Sequence, residues 1–284
     1  MTATSSGVSK TSDDLSAKET RLLQIIAEIG PMIVAFSGGV DSSLLALAAK
    51  RALNGDMVAI TADSASLADG ELEQCRTLAA KWDIPWDAVS TNEMTDERYL
   101  ANDSDRCYWC KSALMDQLTE ITDGLDHSAK QSGATITLGV NLDDLGDHRP
   151  GQEAAASRGA RFPLVEAGFT KADVRELAQA WGLEVWDRPA MPCLSSRLPY
   201  GTAVTVPLLS RIDRAEAAIR QLGFEDVRVR HYDETARIEL PAEQLSTAAA
   251  LASEMVEAVT AAGYRYVTLD LAGLRSGNLN HAVT

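Results

Sequence analysis

Three cysteines lie in settings that suit thiol chemistry. Cys107 and Cys110 form a Cys-x-x-Cys pair just ahead of a predicted helix at 111–125. Two thiolates at this spacing can chelate one metal, hold one edge of a cluster or close a redox disulfide. Cys193 lies further along the chain among prolines, serines and Arg197, a setting typical of a reactive loop thiol rather than of a core cysteine.

Several arrangements are open for these three cysteines. A structural zinc site needs a fourth ligand, from Cys75 or a histidine. A redox disulfide leaves Cys193 without a role, whereas a 4Fe–4S cluster uses all three thiols and leaves one iron open. Three unrelated thiols are the simplest alternative. Cys75 differs, because it shares an apolar helix face with Leu72 and Leu78, which favours a small buried side chain.

A second candidate site is the sequence Ser-Gly-Gly-Val-Asp-Ser-Ser at 37–43. It follows an apolar run at 32–36, predicted to be a buried strand, and opens an Ala/Leu-rich helix at 42–53. Glycines let the backbone approach a ligand closely, and the N–H groups at a helix start attract anions. Asp41 is placed to cap the helix or to help hold Mg²⁺. The loop is not a Walker A motif, since no Gly-Lys-Ser/Thr follows, and an ordinary strand-to-helix turn is the alternative.

Helices and strands alternate along most of the chain. Further strands are predicted at 57–61, 88–91, 135–140 and 184–186, with helices at 67–82, 111–125 and 170–181. This alternation is typical of βαβ units, so the predicted fold class is α/β with a Rossmann-like parallel sheet.

Prolines cluster at 188–207 and indicate a domain boundary. Beyond it, helices at 208–222 and 242–262 and strands at 227–231, 236–240 and 266–271 predict a smaller α+β domain. We therefore expect a disordered polar tail at 1–18, an α/β domain at 19–198 and an α+β domain at 199–284.

The charge of the chain restricts its partners. There are 26 Lys and Arg residues against 41 Asp and Glu residues, for a net charge of −15. Because an acidic surface repels phosphate backbones, no nucleic-acid partner is expected, although a local basic pocket for a small anion is compatible with this charge. No apolar run is long enough for a transmembrane helix, and the N-terminus lacks a signal segment, so we expect a cytoplasmic protein without a membrane partner.

The 37–43 loop resembles the signature of the PP-loop ATP pyrophosphatases, which cleave ATP between its α- and β-phosphates and adenylate an acceptor oxygen. The resemblance implies that 19–198 is the PP-loop domain. It also implies that the pyrophosphate end of ATP, with Mg²⁺, is held by Ser37, Gly38, Gly39, Asp41, Ser42 and Ser43. By the same resemblance, Thr61, Asp63 and Ser64 contact the adenine nucleotide.

Further segments are similar to one branch of this superfamily, the LarE family of ATP-dependent sulfur transferases, which make the nickel-pincer nucleotide of lactate racemase. The similar segments are Arg-Cys-Tyr-Trp-Cys-Lys at 106–111, 139–144, 147–151, 163–167 with Lys171 and Arg175, Cys-Leu-Ser-Ser-Arg at 193–197, 199–201, Val-Arg-Val-Arg-His at 227–231, 237–239 and 269–277. Together with the loop they span 33–277.

The LarE resemblance implies a small nucleotide substrate, pyridinium-3,5-biscarboxylic acid mononucleotide. ATP adenylates one of its ring carboxylates, and sulfur then displaces AMP to leave a thiocarboxylate. The substrate's phosphate and carboxylates are expected to contact Arg197, Arg228 and Arg230, of which the last two share one face of a predicted strand.

The resemblance also implies how sulfur is supplied. Cys193 matches the sulfur-bearing cysteine of the family, and members with three cysteines hold a 4Fe–4S cluster, here on Cys107, Cys110 and Cys193. Consumption of the Cys193 sulfur itself is the alternative. The family further implies a homo-oligomer such as a hexamer.

Two other functions are compatible with the motifs. One is a different PP-loop adenylating enzyme, a tRNA thiolase or an amide-forming synthetase; the acidic charge and the lack of a glutaminase domain count against these. The other is an adenine-nucleotide-binding sensor or metallochaperone, which binds AMP or ATP without releasing pyrophosphate.

Overall fold

The computed structural model describes residues 6–123, 133–146, 150–189 and 191–275. The chain divides into two compact units. The first comprises Met1–Ser64, Gly70–Asn92 and Cys107–Ala190, and the second comprises Ala65–Asp69, Glu93–Arg106 and Met191–Thr284. Two segments of the LarE resemblance lie partly outside the described residues, at 147–149 and at 276–277.

In chain order, helices α1 to α11 are Ser6–Ile29, Val40–Leu53, Glu71–Lys81, Glu97–Leu100, Arg106–Thr122, Pro150–Ser157, Pro163–Glu166, Lys171–Ala180, Val206–Gln221, Leu245–Ala250 and Ala252–Ala261. Strands β1 to β7 are Met32–Ala35, Met57–Asp63, Trp86–Ser90, Thr135–Leu138, Arg228–Tyr232, Thr235–Glu239 and Tyr266–Leu269. Within the described part of the chain, no helix combines the length and the apolar character that a membrane crossing requires.

The first unit is built on a four-stranded parallel sheet of order β3-β2-β1-β4. Strand β1 is buried on both faces. Val34 packs in an apolar cluster with residues of α1, α2 and α8, and Ile33 packs in a second cluster with residues of α5. Burial on both faces explains why the strand is a continuous apolar run rather than an alternating one. The predicted α/β fold with a Rossmann-like parallel sheet is confirmed.

The strand order creates a crevice next to β1. The chain passes from β1 through α2 to β2 on one side, whereas β4 pairs with β1 on the other side. Ligands of open parallel sheets bind outside the carboxyl ends of the strands where the order reverses in this way. Here that point lies between β1 and β4, where the segments 36–39 and 139–141 follow the two strands.

The second unit is a smaller α+β structure, as predicted. Strands β5 and β6 form an antiparallel hairpin whose turn contains Asp233 in the left-handed region, with φ 52°, and β7 pairs in parallel with β6. Val229 and Ile238 of the sheet pack with Ile219 of α9 and Val259 of α11 in one apolar core. The helix predicted over 242–262 is divided into a 3-10 turn, α10 and α11.

Two predictions about local structure are wrong. The segment 6–18, predicted as part of a disordered tail, forms the first half of α1, because Leu15 packs on the first unit's core and Lys18 Nζ lies 2.9 Å from Asp173 Oδ2. The segment 184–186 forms turns rather than a strand. Its Val185 is buried in the same core and pairs with none of the strands that the structure describes. Both errors arise from tertiary packing that local composition does not encode.

Candidate active site

The 37–43 loop joins β1 to α2 and is organised by one serine. Ser42 Oγ accepts a hydrogen bond from Ser37 N at 3.2 Å and donates to Gly39 O at 3.1 Å. Gly38 adopts φ +70°, which only glycine takes without strain, and a Cβ there would lie 3.1 Å from Cys75 Sγ. Gly39 is the N-cap of α2 and no side chain caps the helix, so Asp41 is not a helix cap. The N–H groups at the start of α2 are therefore not capped by a side chain, as an anion site requires.

The end of β4 approaches this loop very closely. A Cβ on Gly139 would lie 2.6 Å from Ser42 N and 2.7 Å from Asp41 C, so that only glycine fits there. The hydroxyl of Ser43, which is fully buried, has no hydrogen-bond partner among the described residues. A buried hydroxyl without a partner costs free energy, and a ligand at the helix start is one way to satisfy it.

Asp41 is held by two partners from other elements. Asn141 Nδ2 donates to Asp41 Oδ1 at 2.9 Å, and Lys171 Nζ lies 2.5 Å from Asp41 Oδ2. Lys171 is the first residue of α8, where the positive end of the helix dipole disfavours a cation. The dipole of α8 is not stabilised by a lysine at this position, so the position of Lys171 favours a role at the 37–43 loop. We refer to this loop as the phosphate loop. Asn141 is not among the site residues predicted from the sequence, where its signals are its place after a predicted strand and within the LarE-similar segment 139–144.

The residues expected at the adenine nucleotide lie in and after β2. Thr61 is buried within the strand, where its hydroxyl donates to Phe36 O at 2.8 Å and accepts from Trp86 Nε1 at 2.9 Å. The hydroxyl therefore joins β2 to the chain that enters the phosphate loop. Ser64 follows directly after β2 and is half-buried. Contacts of both residues with a nucleotide stay a prediction.

In the second unit, two buried carboxylates hold two of the three predicted substrate arginines. Arg197 is 5% exposed, and its Nε and Nη2 donate to the two Glu216 carboxylate oxygens at 2.8 and 3.1 Å. Arg230 is 3% exposed, and it donates to Glu239 Oε2 at 3.0 Å and to Ser196 O at 2.7 Å. Arg197 Nη1 also donates to Cys193 O at 3.2 Å, so both arginines contact the main chain of the segment 193–197.

Further guanidinium groups surround these two pairs. Arg220 also pairs with Glu216, and Arg237 pairs with Glu239 and lies 3.6 Å from Asp270. We refer to Arg197, Arg220, Arg228, Arg230 and Arg237 as the arginine cluster. Burial is the main cause that lowers the pKa of Arg228, and the nearby Arg197 and Arg230 lower it further, whereas Glu239 and Glu216 act in the opposite direction. Guanidinium groups of this kind are donors suited to an anionic ligand.

None of the four cysteines is in a disulfide. Cys107 and Cys110 lie in the first turn of α5, three residues apart and hence on one helix face, and both belong to the first unit. Cys193 is exposed and belongs to the second unit. Cys75 is buried, as predicted, and burial raises the pKa of its thiol. Among the described residues, no group of three or more Cys, His, Asp or Glu is arranged to hold a metal ion.

Comparisons with known proteins identify the family. No protein-family model matches the chain. An uncharacterized protein of Synechocystis sp. is 45% identical over 272 residues, which are 95% of this chain and 99% of that protein. The pyridinium-3,5-bisthiocarboxylic acid mononucleotide synthase of Lactiplantibacillus plantarum is 35% identical over 271 residues, which are 95% of this chain and 96% of the synthase. The chain belongs to the LarE family. An uncharacterized protein of Methanocaldococcus jannaschii is 24% identical over 245 residues, or 86% of this LarE-family chain.

The close approach of β4 to the phosphate loop can be tested with Gly139→Ala. The added methyl group must displace the start of α2, and overpacking of this kind costs about 1–3 kcal/mol. We expect ATP binding to weaken about tenfold or more, measured by titration calorimetry with ATP and Mg²⁺. The urea midpoint of the variant serves as a control for folding. Unchanged affinity for ATP in a folded variant would contradict the close approach of Gly139 to the start of α2.

The pairing of Glu216 with Arg197 and Arg220 can be tested with Glu216→Ala. Removal of this fully buried carboxylate leaves Arg197 and Arg220 without their shared partner, so we expect the free energy of unfolding to fall by about 3–5 kcal/mol. Glu257→Ala, an exposed position on α11, is the matched control and is expected to change stability by less than about 0.5 kcal/mol. Urea denaturation measures both. Equal stability of the two variants would contradict the role of Glu216 as the buried partner of Arg197 and Arg220.

Proposed function

We propose that this chain is an ATP-dependent sulfurtransferase that converts a ring carboxylate of pyridinium-3,5-biscarboxylic acid mononucleotide into a thiocarboxylate. The observation that carries the proposal is the 35% identity, over 95% of the chain, to a synthase whose name states the bisthiocarboxylic product. The phosphate loop and the arginine cluster supply the two chemical requirements of such a reaction, a nucleotide site and an anion site.

The first step is adenylation. A substrate carboxylate oxygen attacks the α-phosphorus of ATP, the bond to the β-phosphate bridging oxygen breaks, and pyrophosphate leaves with the electron pair. The N–H groups at the start of α2, the Ser37 and Ser43 hydroxyls and the Lys171 ammonium group are the donors available to the pyrophosphate charge. Asp41 is the residue that would hold Mg²⁺, which neutralises phosphate oxygens when bound.

The substrate brings a phosphate and two carboxylates, which a chain of charge −15 repels at long range. The arginine cluster is the proposed source of local attraction, because Arg197, Arg228 and Arg230 are buried and their charges are hence weakly screened by salt. Arg197, Arg228 and Arg230 are the proposed contacts, since guanidinium groups bind phosphate and carboxylate with two parallel hydrogen bonds.

The second step is sulfur transfer. A sulfur nucleophile attacks the carbonyl carbon of the adenylate, a carbon–sulfur bond forms, and AMP leaves with the electron pair of the broken carbon–oxygen bond. Cys193 is the proposed residue that holds the transferred sulfur at the substrate, as a ligand of the cluster proposed below. In the alternative its own Sγ is transferred, and the Cβ–Sγ bond then breaks with loss of the Cα proton and leaves dehydroalanine. The exposure of Cys193 suits either role, because the transferred sulfur must lie where the substrate can reach it.

For the supply of sulfur we propose a 4Fe–4S cluster ligated by Cys107, Cys110 and Cys193. The residue types support this proposal, because none of the three cysteines is in a disulfide and Cys107 and Cys110 lie three residues apart at the start of α5. A cluster with one open iron carries a transferable sulfide when it is bound.

The role of Cys193 can be tested by comparing two cysteine variants. In Cys193→Ser we expect thiocarboxylate formation to fall by at least about a hundredfold, because a hydroxyl cannot replace the sulfur. Pyrophosphate release with the pyridinium substrate is expected to persist, since the phosphate loop is unchanged. Cys75→Ala, which removes a buried thiol, is the control and should retain both activities. Mass spectrometry measures the product, and persistent thiolation in Cys193→Ser would remove this cysteine from the mechanism.

The cluster can be tested by counting iron and acid-labile sulfide after anaerobic reconstitution. We expect about four irons per chain, falling sharply in Cys107→Ala and Cys110→Ala but not in Cys75→Ala. An iron-free protein that carries dehydroalanine at position 193 after turnover would contradict the cluster and indicate that the Cys193 sulfur is consumed.

A further inference from the structure

The exposed thiol of Cys193 lies at the edge of a short buried segment. It is the residue before the 3-10 turn Leu194–Arg197, in which Leu194, Ser195 and Arg197 are all buried. A turn of four residues has no stability of its own. The direction in which the thiol points therefore depends on what holds the buried residues of the turn.

Three buried hydroxyls hold the turn from the side of Ser195. Ser195 Oγ lies 2.7 Å from Ser66 Oγ and 2.7 Å from Tyr99 OH, and the Ser66 and Tyr99 hydroxyls also bond to each other. We refer to Ser66, Tyr99 and Ser195 as the hydroxyl ring. Each hydroxyl has one proton, so each can donate once and accept once around the ring. Because an unpaired hydroxyl is costly in a buried site, the ring favours this one arrangement of Ser195.

Main-chain hydrogen bonds reinforce the hydroxyl ring on both sides. Leu194 N donates to Ser66 O at 2.9 Å, which ties the residue next to Cys193 to the same serine. Arg106 Nη1 donates to Ser195 O at 2.8 Å and to Asn102 Oδ1 at 2.6 Å. The turn is thus fixed by the segments 65–69 and 93–106, which belong to the same compact unit.

The hydroxyl ring is separate from the main core of this unit. That core is formed by residues of the β5–β6–β7 sheet and the helices packed on it, and it includes none of the three ring residues. Removal of one hydroxyl therefore changes the hold on the Cys193 turn while leaving the packing of the core intact.

We propose that Ser66 and Tyr99 are positioning residues for sulfur transfer. Through the hydroxyl ring they fix Ser195, and thereby the position of Cys193 during sulfur transfer. The inference rests on the proposed function of Cys193, and it adds two residues that act through Ser195. Their expected effect is on the second chemical step alone.

The test compares Tyr99→Phe with Tyr200→Phe in the full chain. Tyr200 is an exposed tyrosine of the same unit that lies outside the ring. Pyrophosphate released and thiocarboxylate formed are measured together with the pyridinium substrate. In Tyr99→Phe we expect pyrophosphate release within about twofold of the parent and thiocarboxylate per pyrophosphate lowered about tenfold, since small misplacements of reacting groups reduce rates strongly. Tyr200→Phe should keep the parent ratio.

The ratio separates positioning from folding, because partly unfolded protein lowers both products equally. Ser66→Ala removes a different hydroxyl and is expected to lower the ratio similarly, so the test does not depend on one variant folding. A parent-like ratio in both ring variants, or a parallel fall of both products, overturns the inference. Cys193→Ser distinguishes the two proposals: if it retains thiolation, the proposed role of Cys193 fails; if it loses thiolation while the ring variants keep the parent ratio, only the positioning role fails.

Discussion

The first unit depends on one close approach, that of the end of β4 to the start of α2. Because β4 pairs with β1 on the side away from β2, the segments that follow these two strands must share the same space. Gly139 makes this possible, since a side chain there would overlap the backbone of Asp41 and Ser42. The same approach brings Asn141 to Asp41, and α8 then adds Lys171. The arrangement around Asp41 is thus a consequence of strand order as much as of the loop sequence.

The net charge of the chain and the proposed local binding of anions act in opposite directions. A net charge of −15 repels anions, and yet the proposed reaction needs three anionic groups on one substrate and a triphosphate on the other. Burial resolves this conflict, because buried charges are screened little by salt and act strongly over short distances. The second unit concentrates guanidinium groups around Glu216 and Glu239, and these carboxylates fix the arginines in place.

Local patterns in the sequence predict the phosphate loop, the parallel sheet, the hairpin of the second unit and the burial of Cys75. Each of these features depends on residues close together in the sequence, which form either a glycine-containing turn or a regular spacing of apolar residues. The partners of the site residues depend on topology instead. Asn141 becomes a neighbour of Asp41 only because β4 joins the sheet beside β1, and Glu216 meets Arg197 only because α9 packs beside the Cys193 turn. The helix at 6–18 is missed for a related reason, since its support comes from α8, more than a hundred residues away.

The central claim is that the substrate carboxylate attacks the α-phosphorus of ATP. The most direct measurement uses pyridinium-3,5-biscarboxylic acid mononucleotide labelled with ¹⁸O in its carboxylates, with the products analysed by phosphorus NMR and mass spectrometry. The account predicts pyrophosphate together with AMP that carries ¹⁸O from the substrate, in step with thiocarboxylate formation. Formation of ADP and phosphate, or of AMP without the label, would contradict it.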